Sequence, residues 1–291
     1  MFMASPDSSS QNRPTRLLTQ QEKLAHVYEE EVYPLYGQKF ADLLTANLTL
    51  SPHAHVLQIG CGLGSTTTEL LQQMDPESQL IVVETSPWLI ERARASVAAD
   101  PLGRRVFFRA HHLDSKLPFA ENGFDYVLAN VSLADPTLSA SLLPELVRVT
   151  KPGGALRVTT PLAGTWREFL DVYRDVLLRL RRDESAVALA AYAESFPEPE
   201  ALARRCEAAG VGPVAVETTH WELVFRTARE FFYAPVIEFG PLARWKTIAG
   251  KGPEIQDIFL AVKEGIDTYF GGSAFAVSIV AGLFMGTKPL S

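Results

Sequence analysis

The sequence has only two cysteines among its 291 residues, Cys61 and Cys206. Two thiols cannot supply the disulfide framework of a small secreted domain, so the composition favours a reducing compartment and a cytoplasmic protein. Neither cysteine has a second metal-ligating residue at a useful spacing, and no metal site is predicted.

Positive charge is also scarce, with 27 lysines and arginines against 34 acidic residues and a formal net charge of −7. Proteins that bind nucleic acid present a basic face, because they displace the counterions of the phosphate backbone. The basic pairs Arg104-Arg105, Arg181-Arg182 and Arg204-Arg205 are short and typical of solvated helices and loops. We therefore expect no nucleic-acid partner.

A long apolar run is missing. The longest, Ala274 to Gly286, has 13 residues and is too short to span a bilayer. It predicts a buried strand, and no membrane partner is expected. Residues 1–17 are polar and rich in serine, without the apolar stretch of a signal peptide, and they predict a disordered tail.

Strand and helix patterns alternate through residues 54–160. Apolar runs predict strands at HVLQIG, QLIVVET, RVFFRAH, FDYVLANV and GALRVTTP. Helical periodicity separates most of them, at STTTELLQQM, SPWLIERARASVAAD and LSASLLPELVRVT. Ser86 is the expected N-cap of the second helix, and Gly153-Gly154 the expected stop of the third. This alternation predicts an α/β fold, with a doubly wound, mainly parallel sheet.

The flanking segments have different patterns. We expect a helical cap over residues 18–50, made of one or two helices with Pro34 marking either a break or a new first turn, and a ligand-binding core over residues 51–225. A helical insertion over residues 226–272 precedes a closing strand in residues 273–291. The insertion carries several aromatic residues, which predict either a lid over an apolar or aromatic small molecule or a packing or dimer surface. A monomer and a homodimer both remain open.

The stretch VLQIGCGLGS, residues 56–65, places three glycines between a predicted strand and a predicted helix. A ligand can approach such a loop closely, because glycine has no side chain and helix N-termini have unpaired N–H groups. Ser65 stands where the dinucleotide fingerprint G-x-G-x-x-G needs its third glycine. Glu84 ends the next strand, where a carboxylate can accept hydrogen bonds from ribose hydroxyls. The pattern favours a ribose-bearing ligand without a pyrophosphate.

Four segments together resemble the class I S-adenosylmethionine (SAM)-dependent methyltransferases, especially their type 11 small-molecule branch. They are, in order, VLQIGCGLGSTT, IVVETSPWLIERAR, LPFAENGFDYVLAN and ELVRVTKPGGALRVTTP. The resemblance covers residues 54–160 closely and the rest in outline. It implies a seven-stranded Rossmann-like sheet closed by an antiparallel pair of strands. It also implies methyl transfer from SAM to the oxygen, nitrogen or carbon of a small metabolite, with S-adenosylhomocysteine (SAH) as product.

The resemblance assigns cofactor contacts to three regions of the chain. The first is the glycine loop with the strand before it, and its residues are Gln58, Gly60, Cys61, Gly62 and Gly64. The second is the end of the second strand with the helix after it, and its residues are Glu84, Thr85 and Leu89. The third comprises the ends of the two later strands, with Leu113, Asp114 and Asn130. Two positions depart from the family. Gln58 stands where an acidic residue is usual, so it brings no charge to the cofactor. Asp114 lies one residue late, so that either its carboxylate or the backbone of Leu113 meets the adenine.

No catalytic motif is evident, which suits methyl transfer because the sulfonium is already a good leaving group. The candidate bases are His111, His112 and Tyr33. The candidate substrate-binding residues are Tyr28, Trp166, Phe232, Tyr233 and Glu238. A protein or carrier-bound acceptor and a non-catalytic SAM-binding module remain as alternatives.

Overall fold

The structure, a computed structural model, describes residues 26–271 and 273–290, without the side chains of residues 137–140. The predicted tail over residues 1–17 and the first part of the predicted cap lie outside the described residues. The described part contains a seven-stranded sheet whose spatial order is β3-β2-β1-β4-β5-β7-β6. Its strands are β1 (His55–Ile59), β2 (Gln79–Glu84), β3 (Val106–Ala110), β4 (Phe124–Asn130), β5 (Thr150–Pro161), β6 (Ala215–Phe225) and β7 (Phe275–Thr287).

Twelve helices in the described residues surround this sheet. They are α1 (Tyr28–Gly37), α2 (Gln38–Thr45), α3 (Ser65–Gln73), α4 (Pro87–Val97), α5 (Pro136–Val149), α6 (Arg167–Arg179), α7 (Asp183–Ser195), α8 (Pro199–Ala208), α9 (Ala228–Tyr233), α10 (Pro235–Phe239), α11 (Leu242–Ala249) and α12 (Glu254–Phe270). A single 3-10 turn, Gly103–Arg105, precedes β3. No helix among these combines the length and apolar character needed to cross a bilayer.

The sheet confirms the predicted fold class. Strands β1 to β5 pair in parallel, and β7 joins β5 and β6 in antiparallel fashion. From β1 the chain adds β2 and β3 on one side and then β4 and β5 on the other. This change of direction creates a crevice at the carboxyl ends of β1 and β4, the place where open α/β sheets bind ligands.

A second core lies among the helices outside the sheet. Phe169 of α6, Phe231 of α9 and Trp245 of α11 are fully buried in it. The rings of Phe169 and Trp245 stack with centroids 4.0 Å apart, and Phe231 lies 5.0 Å from Phe169. Several aromatic residues of the insertion therefore pack against α6 in the interior of the protein.

Local structure differs from the sequence predictions at three places. The helix neither breaks nor restarts at Pro34: the proline lies inside α1, a helix with π-type turns, and α2 continues it. Helix α5 ends before Gly153-Gly154, and these glycines lie in an irregularity of β5, where Gly153 has φ +76°. Helix α7 was not predicted, because its many alanines give little apolar periodicity.

The three glycines of the loop serve different purposes. A Cβ at Gly60 would collide with the carbonyl oxygen of Asn130 on β4. A Cβ at Gly64 would lie 2.7 Å from the Cα of Ala93 on α4. A Cβ at Gly62 would instead approach the ring of Tyr33 at 3.6 Å and the hydroxyl of Tyr28 at 3.9 Å. Two of the glycines therefore permit close packing of the chain, and only Gly62 lies beside the aromatic residues of α1.

This geometry predicts that Gly64→Ala destabilises the fold more than Gly271→Ala does. Both glycines have left-handed backbones, with φ +91° and +52°, but nothing lies within 4 Å of a Cβ at Gly271. Both variants should lose roughly 1–3 kcal/mol from backbone strain. Gly64→Ala should lose about 1–3 kcal/mol more, because its methyl group enters α4. Urea unfolding followed by circular dichroism measures both; equal losses would contradict the packing account.

Candidate functional site

A cavity of about 380 Å³ lies at the carboxyl edge of the sheet, where β1, β2 and β4 end. Its walls come from the glycine loop, the segments after β2, β3 and β4, and the helices α1, α2 and α10. They include Gly60, Cys61, Gly62, Glu84, Thr85, Trp88, Leu89, Leu113, Asn130, Tyr28, Tyr33 and Phe239. We call this space the cofactor cavity.

The carboxylate of Glu84 is held firmly in the wall of the cofactor cavity. The side chain is buried, and its Oε1 accepts hydrogen bonds from the N–H of Thr85 at 2.7 Å and of Ser86 at 3.2 Å. Its Oε2 accepts from the N–H of Cys61 at 3.2 Å. Ser86 therefore enters the network through its backbone, and its side chain makes no capping hydrogen bond to α4. The network fixes one negative charge beside the glycine loop.

Helix α1 covers the cofactor cavity. The ring of Tyr28 meets Trp88 and Phe239 edge-on, and the hydroxyl of Tyr33 hydrogen-bonds to Ser65. Burial, followed by the charge of Glu84, raises the pKa of Tyr28. Burial also raises the pKa of Tyr33, although its hydrogen bond to Ser65 acts in the opposite direction. Both phenols therefore stay protonated at neutral pH, which makes Tyr33 an unsuitable base.

A second cavity of about 300 Å³ adjoins the first. Both are lined by Ser132, Leu133 and Ala134, the segment that follows β4. The remaining walls of the second cavity are mostly aromatic side chains and prolines, with a few polar groups: Tyr36, Trp166, Tyr192, Phe196, Pro136, Pro161, Pro241, Gly240, Ala243, Asp135, Arg244 and Thr247. We call this space the acceptor cavity, after the role that we propose for it.

Two aromatic side chains fix the shared segment in place. Tyr36 of α1 donates a hydrogen bond from its hydroxyl to the carbonyl of Ser132 at 2.9 Å. Its ring stacks on Trp166, with centroids 6.0 Å apart and planes 10° from parallel. The wall between the cavities is therefore held by α1 and by the residue that precedes α6.

Most predicted cofactor residues come together at the cofactor cavity, but three do not line it. Gln58 is fully buried in β1, where its Oε1 accepts a hydrogen bond from the Thr67 hydroxyl at 2.8 Å. Its Nε2 has no hydrogen-bond partner among the described residues. Gly64 packs against α4 instead. Asp114 is exposed and lines a small neighbouring depression together with Leu113.

Of the predicted base and substrate residues, Tyr28 and Tyr33 line the cofactor cavity and Trp166 lines the acceptor cavity. The others lie outside both cavities. The ring nitrogen Nε2 of His111 lies 3.1 Å from the carbonyl of Lys116, and His112 is exposed. Phe232 packs on the buried aromatic cluster, whereas Tyr233 and Glu238 are exposed. These five residues belong to segments that border the cavities, but their side chains do not line either cavity.

The insertion reaches the cavities through different residues from those predicted. Phe239 lines the cofactor cavity, and Arg244 and Thr247 of α11 line the acceptor cavity. Tyr192 lies on α7, the helix that the sequence pattern did not indicate. In the stretches the structure describes, no three histidine, cysteine or acidic side chains group as metal ligands.

Comparison with known proteins identifies the relatives of this chain. A family model described as a methyltransferase domain matches residues 56–154. The chain is 32% identical over 111 residues to demethylmenaquinone methyltransferase of Lactiplantibacillus plantarum, a match that spans 38% of this chain and 46% of that relative. It is 31% identical over 175 residues to demethylmenaquinone methyltransferase of a Mycobacterium species, covering 57% of this chain and 70% of that relative.

A solved structure from Bacillus halodurans, described as a methyltransferase, has the same fold. Its TM-score is 0.54 at 17% identity, and the superposition covers 87% of this chain and all of that one. With the mycobacterial relative matched over more than two thirds of its length, the family is established: the chain belongs to the class I SAM-dependent methyltransferases of the type 11 kind, enzymes that take their methyl group from SAM.

Proposed function

We propose that the enzyme methylates a small apolar or aromatic metabolite held in the acceptor cavity. The observation that carries this proposal is the wall of Ser132, Leu133 and Ala134, which lines both cavities. A donor in one cavity and an acceptor in the other would meet at this segment. The named relatives are demethylmenaquinone methyltransferases, so a quinone-like aromatic ring is a suitable first acceptor to test.

The residues of the cofactor cavity suit SAM. The carboxylate of Glu84 offers acceptors for two ribose hydroxyls, and Leu89 and Leu113 offer apolar surfaces for an adenine ring. Gly62 lets the ligand approach the backbone beneath Tyr28 and Tyr33, whose ring faces favour a cation. Bound SAM supplies an electrophilic methyl group on its sulfonium. We retain Thr85, Cys61, Gly60 and Asn130 as further contacts.

We assign Gln58 an indirect role. Its hydrogen bond to Thr67 joins β1 to α3, the two elements on either side of the glycine loop. It therefore positions the loop from behind, and an uncharged side chain suits this buried place better than the carboxylate usual in the family. Of the two residues expected near the adenine, we propose Leu113, because it lines the cofactor cavity and the exposed Asp114 does not.

The enzyme's own contribution is to orient the acceptor and exclude water. The shared wall carries no ionisable side chain, since its residues are serine, leucine and alanine. Helix α1 and Phe239 cover the cofactor side, and the aromatic walls hold a flat acceptor on the other. Fixing two reactants in this way removes much of the entropic barrier to their reaction.

The remaining assignments follow from the same proposal. We propose that residues 226–272 act as a wall of the acceptor cavity rather than as a separate unit. We also propose a cytoplasmic enzyme without a nucleic-acid partner, acting as a monomer or homodimer. Both cysteines are buried and free, as suits a reducing compartment.

We predict that Glu84→Gln weakens SAM binding by about 10- to 100-fold, because one carboxylate oxygen becomes an NH₂ group that cannot accept hydrogen bonds. Isothermal titration with SAM measures the effect. Glu77→Gln is the matched control, since Glu77 is exposed and far from the cavity in contact with His53. Unchanged affinity in a folded Glu84→Gln variant would refute the ribose assignment.

We predict that Ala243→Trp lowers methyl transfer at least tenfold while SAM affinity changes less than about twofold, because its indole fills only the acceptor cavity. The assay incubates the enzyme with SAM carrying a heavy methyl group and either 1,4-naphthoquinol or the small molecules of a cell extract. Mass spectrometry then identifies labelled products.

Ala190→Trp, on the exposed face of α7, serves as the control for this experiment. It should retain wild-type transfer. The proposed function fails if the wild-type enzyme binds SAM but labels no small molecule, or if Ala243→Trp transfers as well as the control.

A further inference from the structure

We infer that Arg244 determines acceptor specificity and selects an apolar or aromatic acceptor that carries a carboxylate. This inference rests on the proposed function, since it concerns the occupant of the acceptor cavity. It follows from the charges, contacts and shape of that cavity.

The acceptor cavity combines apolar walls with one cation and one anion. Trp166, Phe196, Pro161 and Pro241 supply flat apolar surfaces. Among the described residues that line the cavity, Arg244 is the one cation and Asp135 the one anion.

The guanidinium of Arg244 is only lightly engaged by the protein. Its Nε lies 3.6 Å from Oδ2 of Asp135, which is longer than an ordinary hydrogen bond. The two side chains are 46% and 33% exposed, and such ion pairs stabilise a protein little. Within residues 26–271 and 273–290, Arg244 has no further ion pair or hydrogen bond. Its two terminal nitrogens therefore remain available, and their planar arrangement matches a carboxylate.

One neighbour of Arg244 opposes an anion and another favours it. Asp135, which directly precedes Pro136 at the start of α5, carries a negative charge that reduces the attraction of Arg244 for a carboxylate, but the 3.6 Å separation leaves this pairing weak. Tyr192 lines the same wall, where burial, followed by the charge of Asp135, raises the pKa of its phenol, and Arg244 partly offsets this. Its hydroxyl thus stays protonated and can donate a hydrogen bond to an anionic ligand.

The opposing explanation is that Arg244 merely ties α11 to the start of α5. The two explanations differ in one measurable respect. A structural tie affects all ligands alike through stability, whereas a recognition residue affects only ligands with a negative charge.

The test measures binding to the full-length protein saturated with SAH. Isothermal titration compares 2-naphthoate with 2-naphthamide, which has the same shape and no charge. The wild-type protein should bind 2-naphthoate at least tenfold more tightly, and the preference should shrink as salt rises. Arg244→Gln should abolish the preference without changing affinity for 2-naphthamide, and Arg244→Lys should keep part of it.

Arg229→Gln is the matched control, because Arg229 also belongs to the insertion but lies over the exposed ring of Tyr233. It should retain the full preference. The inference is overturned if the wild-type protein shows no preference, if neither naphthalene binds, or if Arg244→Gln retains the preference. An enzyme that transfers methyl groups without preferring 2-naphthoate keeps the proposed function and loses this inference. A protein that prefers 2-naphthoate and transfers nothing loses the proposed function, and with it the role of Arg244 in choosing an acceptor, but keeps Arg244 as the residue that binds a carboxylate.

Discussion

The close approach of Gly60 to Asn130 is the contact on which the site depends. The chain must leave β1 and turn into α3 at the point where β4 ends beside it, and no side chain fits between the two strands there. The N–H of Gly60 also donates to the carbonyl of Val83 at 2.9 Å, which fixes the turn to β2. One residue thus aligns the ends of three strands. Glu84 and the segment after β4 can face a common cavity only because these ends meet.

Aromatic contacts connect this edge of the sheet to the helices of the second core. Tyr36 holds the carbonyl of Ser132 and stacks on Trp166, and Trp166 meets Trp245 edge-on at 5.9 Å. Trp245 in turn stacks on Phe169 in the second core. The wall between the cavities is therefore connected to the interior of the insertion by rings in contact. A rigid wall is what an orientation-based reaction requires, since small displacements of an acceptor reduce the rate strongly.

The sequence predicted the parallel sheet and most of the cofactor cavity, because these depend on local patterns. Strands buried on both faces appear as short apolar runs, and the ends of neighbouring parallel strands must meet at one edge. The acceptor cavity could not be predicted in this way. Tyr36, Trp166, Tyr192 and Arg244 come from four separate elements, and nothing in their local sequences indicates that they share a wall. Gln58 shows that a motif position alone does not predict a contact with the ligand. It occupies the expected place in the motif, but β1 is covered on both faces, and the side chain of Gln58 lies in the core.

The two cavities draw on different parts of the chain, and this has a consequence for specificity. Apart from α1, α2 and Phe239, the cofactor cavity is built from residues 60–134, whereas the acceptor cavity takes most of its walls from residues 161–247. Only the short segment Ser132 to Ala134 lines both. Substitutions on α7 or α11 can thus change the shape and charge of the acceptor cavity without disturbing Glu84 or the glycine loop. Because the shared wall contributes position and no acid or base, a change of acceptor requires no new catalytic group, only a different fit beside a cofactor held in the same place.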